Sequence, residues 1–173
     1  RSAIGQGTNN YTVSQINRYV TAVANRGTVY NLSLLDHVEN KDGKVTKTYE
    51  PNVLNQIEGV SGNTWDAVQS GMRAVVTSNS TYSSLGNITM SGKTGTAQNR
   101  GKDHSAFMGF APMNNPKIAI AVYVENGGFG AVYGVPIGAL MMEQYLKGEL
   151  SPDSEVKAND IQNRRIDYGI HER

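Results

Sequence analysis

The sequence predicts an α/β chain of the α+β kind, an antiparallel sheet flanked by helices. Three observations carry that expectation. Three strand-like segments follow one another between residues 88 and 124, joined by connectors too short for a crossover, so neighbouring strands run antiparallel. Amphipathic segments at helical spacing lie on either side of them, at 13–25, near 63–77 and at 135–146. No internal repeat divides the chain, which rules out a solenoid or an array.

The elements follow in order. Ile4-Gly5-Gln6-Gly7 reads as a loop. Thr12 is a helix N-cap, with Gln15 three residues on to close a capping box. Val13, Ile16, Val20 and Val23 recur at helical spacing up to Asn25, and Gly27 supplies the stop. Residues 29–50 read as a hairpin with arms 29–39 and 44–49, because Asn40-Lys41-Asp42-Gly43 is a strong turn signal between extended arms. Residues 51–62 read as a loop. Asn63 or Thr64 caps a second helix that faces the core with Trp65, Val68, Met72 and Val75 and ends near Thr77. A polar loop follows at 78–84.

The first of the three strands runs over about 88–98. A polar turn at 99–103 leads to the second, 104–111, and Pro112-Met113-Asn114-Asn115-Pro116 connects to the third, 118–124. That third strand is apolar at nearly every position, the pattern of a strand buried on both faces, central or covered by helices. Gly127-Gly128-Phe129-Gly130 breaks the chain. The last helix, 135–146, has Pro136 in its first turn and Gly148 at its end. From Ser151 to Arg173 charges alternate and apolar residues are sparse, so the expectation is a flexible polar tail at 150–173 behind a structured region at 1–149.

Composition bounds the chemistry. The chain has 173 residues, 38% of them hydrophobic and 18% charged, enough for a real core. A net charge of +1 argues neither for nucleic acid nor for acidic partners, and no nucleic acid is expected. The absence of cysteine removes disulfides, thiolate metal sites and cysteine nucleophiles together. No apolar run approaches the length of a membrane span; the longest is strand-sized. Arg1 opens the chain without a start methionine or an apolar leader, and the expectation is a piece of a longer protein.

One motif carries chemistry, Ser91-Gly92-Lys93-Thr94-Gly95-Thr96. A phosphate-binding loop needs a glycine five residues before Gly92, where Asn87 stands, and a helix after the motif, where extended sequence continues. The other reading is the Lys-Thr-Gly motif of serine acyl-transfer enzymes that react with β-lactams. It belongs on an edge strand. Lys93 supplies a fixed positive charge for a substrate carboxylate and for the proton network. Thr94 and Thr96 offer it hydroxyls. Gly95 lets substrate backbone approach closely. The Thr96 backbone N–H can point at a developing oxyanion, where one donor contributes about 3–4 kcal/mol.

Four further stretches resemble the class B penicillin-binding proteins, in the family's order. Ile4-Gly5-Gln6-Gly7 is similar to its I-G-Q-G segment, and Gly71-Met72-Arg73-Ala74-Val75-Val76 to its G-M-R-x-V-V helix. Gly92 to Gln98 resembles its extended third motif. His104-Ser105-Ala106-Phe107-Met108-Gly109-Phe110-Ala111-Pro112, followed by Asn115-Pro116-Lys117-Ile118-Ala119, resembles its last two strands. The likeness covers about residues 1–148 and is nearest to the elongation type, penicillin-binding protein 2. It implies the C-terminal part of a transpeptidase domain, a partial fold of the penicillin-binding protein and serine β-lactamase kind. The implied function is a peptidoglycan D,D-transpeptidase that cross-links stem peptides through a serine acyl-enzyme. Lys93 and the Thr96 N–H would be its catalytic groups, and Lys93, Thr94, Gly95 and Thr96 would bind substrate or β-lactam.

The resemblance also implies partners and place: D-Ala-D-Ala stem peptides, β-lactam antibiotics, the missing N-terminal half of the same domain and the cell-elongation machinery, at the extracytoplasmic face of the bacterial membrane, with no cofactor. The family's S-x-x-K and S-x-N motifs precede the I-G-Q-G segment, so the chain alone is expected to be inactive for want of its nucleophile. Ser154-Glu155-Val156-Lys157 and Ser61-Gly62-Asn63 match those motifs by letters, the first in a polar tail and the second at a helix cap, and both read as coincidences. The alternatives are a non-catalytic scaffold or β-lactam sensor, and a serine β-lactamase.

The remaining candidates read as structural. His37, His104 and His171 lack ligand spacing, so no metal site is expected. His104 reads as a strand-end or turn residue. The glycines at 127, 128 and 130 are not a dinucleotide loop, since Tyr133 stands where its third glycine belongs. Trp65 and Tyr19 read as core, and Arg164-Arg165 as a solvated pair.

Overall fold

The computed structural model describes residues 7–78 and 88–166. Helix α1, Val13–Ala24, starts at Thr12 with the capping box in place, the Thr12 side chain accepting from the Gln15 N–H and the Gln15 side chain from the Thr12 N–H. It stops where Gly27, at φ +106°, donates back to the Ala22 carbonyl at 2.8 Å.

The hairpin differs from its expectation. Strands β1, Thr28–Tyr30, and β2, His37–Glu39, are separate, and so are β3, Val45–Thr48, and β4, Val53–Gln56. β2 pairs with β3 as expected, but β1 pairs with β4, which falls inside the segment expected to be a loop. The two ladders are separated by a gap: the Tyr49 N–H donates to the Asp36 carbonyl at 2.8 Å, and pairing resumes where the Asn31 N–H donates to the Asn52 carbonyl at 2.8 Å. Pro51, which has no N–H to give, stands in that gap, and the first arm carries two more residues across it than the second. Helix α2, Gly62–Thr77, is capped by Ser61 rather than by Asn63 or Thr64. Its buried positions are Gln69, Met72 and Val76, whereas Val68 is exposed and Trp65 half-buried.

Strands β5, Ser91–Ala97, β6, His104–Ala111, and β7, Ile118–Val124, form an antiparallel sheet in the order β5-β6-β7. The last two match the predicted bounds residue for residue. β7 is an edge strand among the described residues, not a central one; it meets helices on both faces, α1 on one and α3, Gly134–Lys147, on the other, but only Ile120 is buried, most of the strand is half-buried and Tyr123 is exposed. Alternation along β6 divides the core. Phe107 and Ala111 join Val135, Ala139 and Met142 on the α3 face, while Phe110 joins Val20, Val23 and Met72 on the α1 and α2 face.

The Phe107 ring sits in a socket of glycines. A Cβ at Gly92, Gly109 or Gly138 would lie 2.4–2.7 Å from the ring, and one at Gly134 would lie 2.9 Å from the Phe107 Cβ. Gly92 and Gly109 face each other across the strand pair, so together they open the space the ring fills. Helix α3 ends at Gly148, which takes the left-handed conformation at φ +80°.

The expected flexible tail is corrected over half of its length. Residues Pro152–Asn163 form helix α4, with Ser151 extended at the N-cap, Pro152 at the first turn and Asp153 and Glu155 beside the positive helix end. Its anchor is polar, which apolar periodicity does not detect. Ser154 is buried and donates to the fully buried carboxylate of Glu143 on α3. Burial alone would raise the Glu143 pKa, but hydrogen bonds from Ser154, Lys147 and Ser151 bring it below the ordinary carboxylate value. Tyr19, expected in the core, is exposed, and Arg164 is engaged rather than merely solvated. No helix among the described residues is long and apolar enough to cross a membrane.

Candidate active site

The motif strand is held at its start. Arg73 of α2 donates to the Met90 carbonyl at 2.8 Å, and the Met113 N–H donates to the Thr89 carbonyl at 2.6 Å. Ser91 and Gly92 are buried, and exposure begins at Lys93. β5 is an edge strand: only β6 pairs with it among the described residues.

The pleat sorts the motif. Lys93 and Gly95 lie opposite Met108 and Ala106 on the α1 and α2 face, while Thr94 and Thr96 lie opposite Phe107 and Ser105 on the α3 face. The Lys93 ammonium donates to the Thr94 carbonyl at 2.7 Å. That carbonyl is therefore open to a side chain at the strand's outer edge. Thr96, two residues on, turns its backbone N–H and C=O toward the same edge by the strand's period of two.

The glycine-rich segment from Gly127 to Tyr133 packs on the strand. A Cβ at Gly130 would meet the Gly95 carbonyl oxygen at 2.6 Å and the Ala106 oxygen at 2.5 Å, so only glycine permits the contact. Ser105, fully buried and opposite Thr96, fastens the loop. Its Oγ donates to the Phe129 carbonyl at 2.9 Å and accepts from the Gly134 N–H at 3.0 Å. The Gly128 N–H adds a bond to the Asp103 carbonyl at 2.8 Å. Phe129 itself is exposed.

The structure thus brings Lys93, Thr94, Gly95 and Thr96 to one open edge and adds Ser105, Gly130 and Arg73, which sequence reasoning missed. Ser105 had a signal: it is the one polar residue on the alternating set 105, 107, 109 and 111 that faces α3. Gly130 and Arg73 had none beyond their motifs, because their partners are distant in sequence.

The other candidates lie apart from this edge. His104 Nδ1 accepts from the Asn126 N–H at 3.0 Å and its ring leans on Tyr123, a strand-end role. His37 is bracketed by Asp36 and Glu39, whose hydrogen bonds raise its pKa, Asp36 foremost. Ser61 caps α2. Ser154 lies in the first turn of α4 rather than in a tail, and its hydroxyl is buried on Glu143. Ile4 to Gln6 and His171 lie outside the described residues. No group of three metal-ligating side chains occurs among the described residues.

Comparison with known proteins identifies the family. Residues 1–143 match the model of the penicillin binding protein transpeptidase domain. Peptidoglycan D,D-transpeptidase MrdA of Haemophilus influenzae is 29% identical over 184 residues, covering 94% of this chain and 28% of the relative. Penicillin-binding protein H of Bacillus subtilis is 35% identical over 140 residues, covering 72% of this chain and 20% of the relative. The chain spans about a quarter of the length of these relatives. Among solved structures, PBP2 of Pseudomonas aeruginosa in complex with WCK 5153 is 30% identical with a TM-score of 0.69, covering 88% of this chain and 34% of that one. Penicillin-binding protein A of Mycobacterium tuberculosis, as an imipenem acyl-enzyme complex, is 25% identical with a TM-score of 0.74, covering 84% of this chain and 33% of that one. The chain therefore belongs to the penicillin-binding protein transpeptidase domain family, as a class B, penicillin-binding-protein-2-like region.

Proposed function

We propose that this chain is the C-terminal part of a peptidoglycan D,D-transpeptidase and supplies the substrate-binding edge of its active site. The observation that carries the reading is the exposed edge of β5, where Lys93, Thr94, Gly95 and Thr96 stand together with no strand beside them among the described residues. An extended peptide adds to such an edge through main-chain hydrogen bonds, and the D-Ala-D-Ala end of a stem peptide has the carboxylate that Lys93 and the two threonine hydroxyls suit.

The nucleophilic serine and its activating lysine belong to the remainder of the domain, outside this chain. In the complete site the serine hydroxyl attacks the carbonyl of the D-Ala-D-Ala bond. Its proton passes through the lysine network to the departing amine, and the terminal D-alanine leaves. An amine of a second stem peptide then attacks the ester, forms the cross-link and returns the serine. The Thr96 N–H faces the oxygen that gains charge in both steps. A β-lactam enters by the same attack, its ring amide opening to an ester. Two features support an incomplete chain. Leu34, Leu35, Val53 and Leu54 are exposed, and the Ser91 hydroxyl, on the Lys93 face, is buried without a partner among the described residues. On the same reading the whole protein stands at the outer face of the cell membrane, where peptidoglycan is made, and with the elongation machinery; a likeness of fold to a PBP2 of Helicobacter pylori solved in complex with MreC is in keeping with a protein partner.

The test is the intact mass of the full-length protein before and after incubation with penicillin. One adduct per protein is expected, and Lys93→Ala should slow its formation by about a hundred-fold, since it removes the fixed charge that holds the carboxylate and serves the proton network. A full-length protein that takes no adduct overturns the reading and leaves a non-catalytic scaffold; an adduct that hydrolyses within seconds makes it a β-lactamase.

A further inference from the structure

The glycine-rich loop is gripped from two sides, and the outer grip comes from α4, which lies beyond the residues the family model matches. Helices α3 and α4 form an antiparallel pair. Near the end of α3, Glu143 holds Ser154 in the first turn of α4, and the chain then runs back. Arg164, the C-cap of α4, so arrives beside the start of α3. There its Nη1 donates to the Val132 carbonyl at 3.1 Å, and its guanidinium lies 5.7 Å from the centre of the Tyr133 ring. Asp160, one turn earlier, pairs with its Nη2 and fixes its direction.

Val132 closes a turn, its N–H donating to the Phe129 carbonyl at 2.8 Å. Inside that turn is Gly130, the residue pressed onto Gly95. A glycine seated on backbone has no side chain to interlock, so the seat is close but shallow. Ser105 and the Gly128 N–H tie the loop from the sheet side, and Arg164 adds a tie from the outer side. We infer that Arg164 is a positioning residue: through Val132 and Tyr133 it holds the glycine-rich loop against the motif strand, and so sets how fast that edge is acylated. The effect on acylation rests on the acyl-transfer reading above; the effect on the loop does not.

The experiment uses the full-length protein and two readouts, hydrogen exchange at the amides of 128–135 and the second-order rate of labelling by a fluorescent penicillin. Arg164→Ala should quicken exchange in that segment and slow labelling by about ten-fold, the scale of a modest misplacement at a reacting centre. Arg164→Lys keeps a donor for Val132 but loses the flat face toward Tyr133, and should fall between. Val20→Ala, in the opposite core cluster, should lower the melting temperature and leave labelling below it unchanged. Parental exchange and labelling in Arg164→Ala would overturn the inference. Faster exchange with parental labelling would reduce Arg164 to a structural tie and overturn its role at the site. If the parental protein is not labelled at all, the acyl-transfer reading falls instead, and exchange alone decides whether Arg164 holds the loop.

Discussion

The sheet β5-β6-β7 and the paired arms at 28–56 are both antiparallel, but they are held by different forces. In the sheet, α3 covers one face and α1 with α2 the other, and a slip of one residue would turn Phe107 out of its socket and Phe110 out of the opposite cluster. In the arms, β2, β3 and β4 are exposed at every position, each pairing is interrupted by a shift of register, and no side chain is buried deeply enough to forbid another pairing. Register is specified by burial in the first region and by turn chemistry and hydrogen bonds in the second.

The sharpest way to break that contrast is at Phe107. Phe107→Ala should lower the unfolding free energy by about 3–5 kcal/mol, because four glycines cannot close over the space. Urea and thermal unfolding of the protein would read it; a loss under 1 kcal/mol would mean the socket collapses and the sheet is not held by its packing. The complementary change fills the socket from below. Gly92→Ala puts a methyl group 2.4 Å from the buried ring and should cost about 1–3 kcal/mol. Since Gly92 precedes Lys93 in the strand, acylation should slow with it.

The same contrast explains what was legible beforehand. The bounds of β6 and β7 are legible to the residue, β6 because its alternation reports burial and β7 because its apolar run is bounded by turn residues, although only Ile120 of that run is buried. The Lys93 edge was readable from its motif, and α1 from its capping box. The arms differ from their expectation beyond Tyr49, where Pro51 and the loop residues signal an end and the Asn31–Asn52 hydrogen bond restarts the pairing. α4 was read as a tail because its anchor is a carboxylate and two serines, with only one buried residue and no apolar face. Ser105, Gly130 and Arg164 depend on partners 24 to 35 positions away, and no window of sequence displays that pairing.

The α4 anchor gives the next prediction. Glu143→Gln replaces an acceptor of charge-assisted bonds by an amide that cannot accept at both atoms, and should destabilise the docking of α4 by about 1–3 kcal/mol. The sign with pH follows from the lowered pKa. The parental stabilisation is fully present above the ordinary glutamate value of roughly 4.3 and is lost as the pH falls through the lower folded value. In Glu143→Gln that acid loss should vanish from the pH profile of α4 protection in hydrogen exchange.

The smallest effect belongs to the arms. Val45 is about half exposed and stands opposite Glu39 at a register shift, so Val45→Ala removes little buried surface. The expected change is within about 0.5 kcal/mol, the range of surface substitutions. His37, flanked by Asp36 and Glu39 on the same arm, sharpens the point with pH. Its raised pKa means that its contribution is present below the ordinary histidine range and fades as the pH rises through the folded value. Because all three groups are solvent-facing, that pH dependence should be slight and screened by salt. A loss of more than 1 kcal/mol for Val45→Ala in the full-length protein would mean that the arms are covered there, and that the rest of the domain or a partner lies against the leucines and valines left exposed in this region.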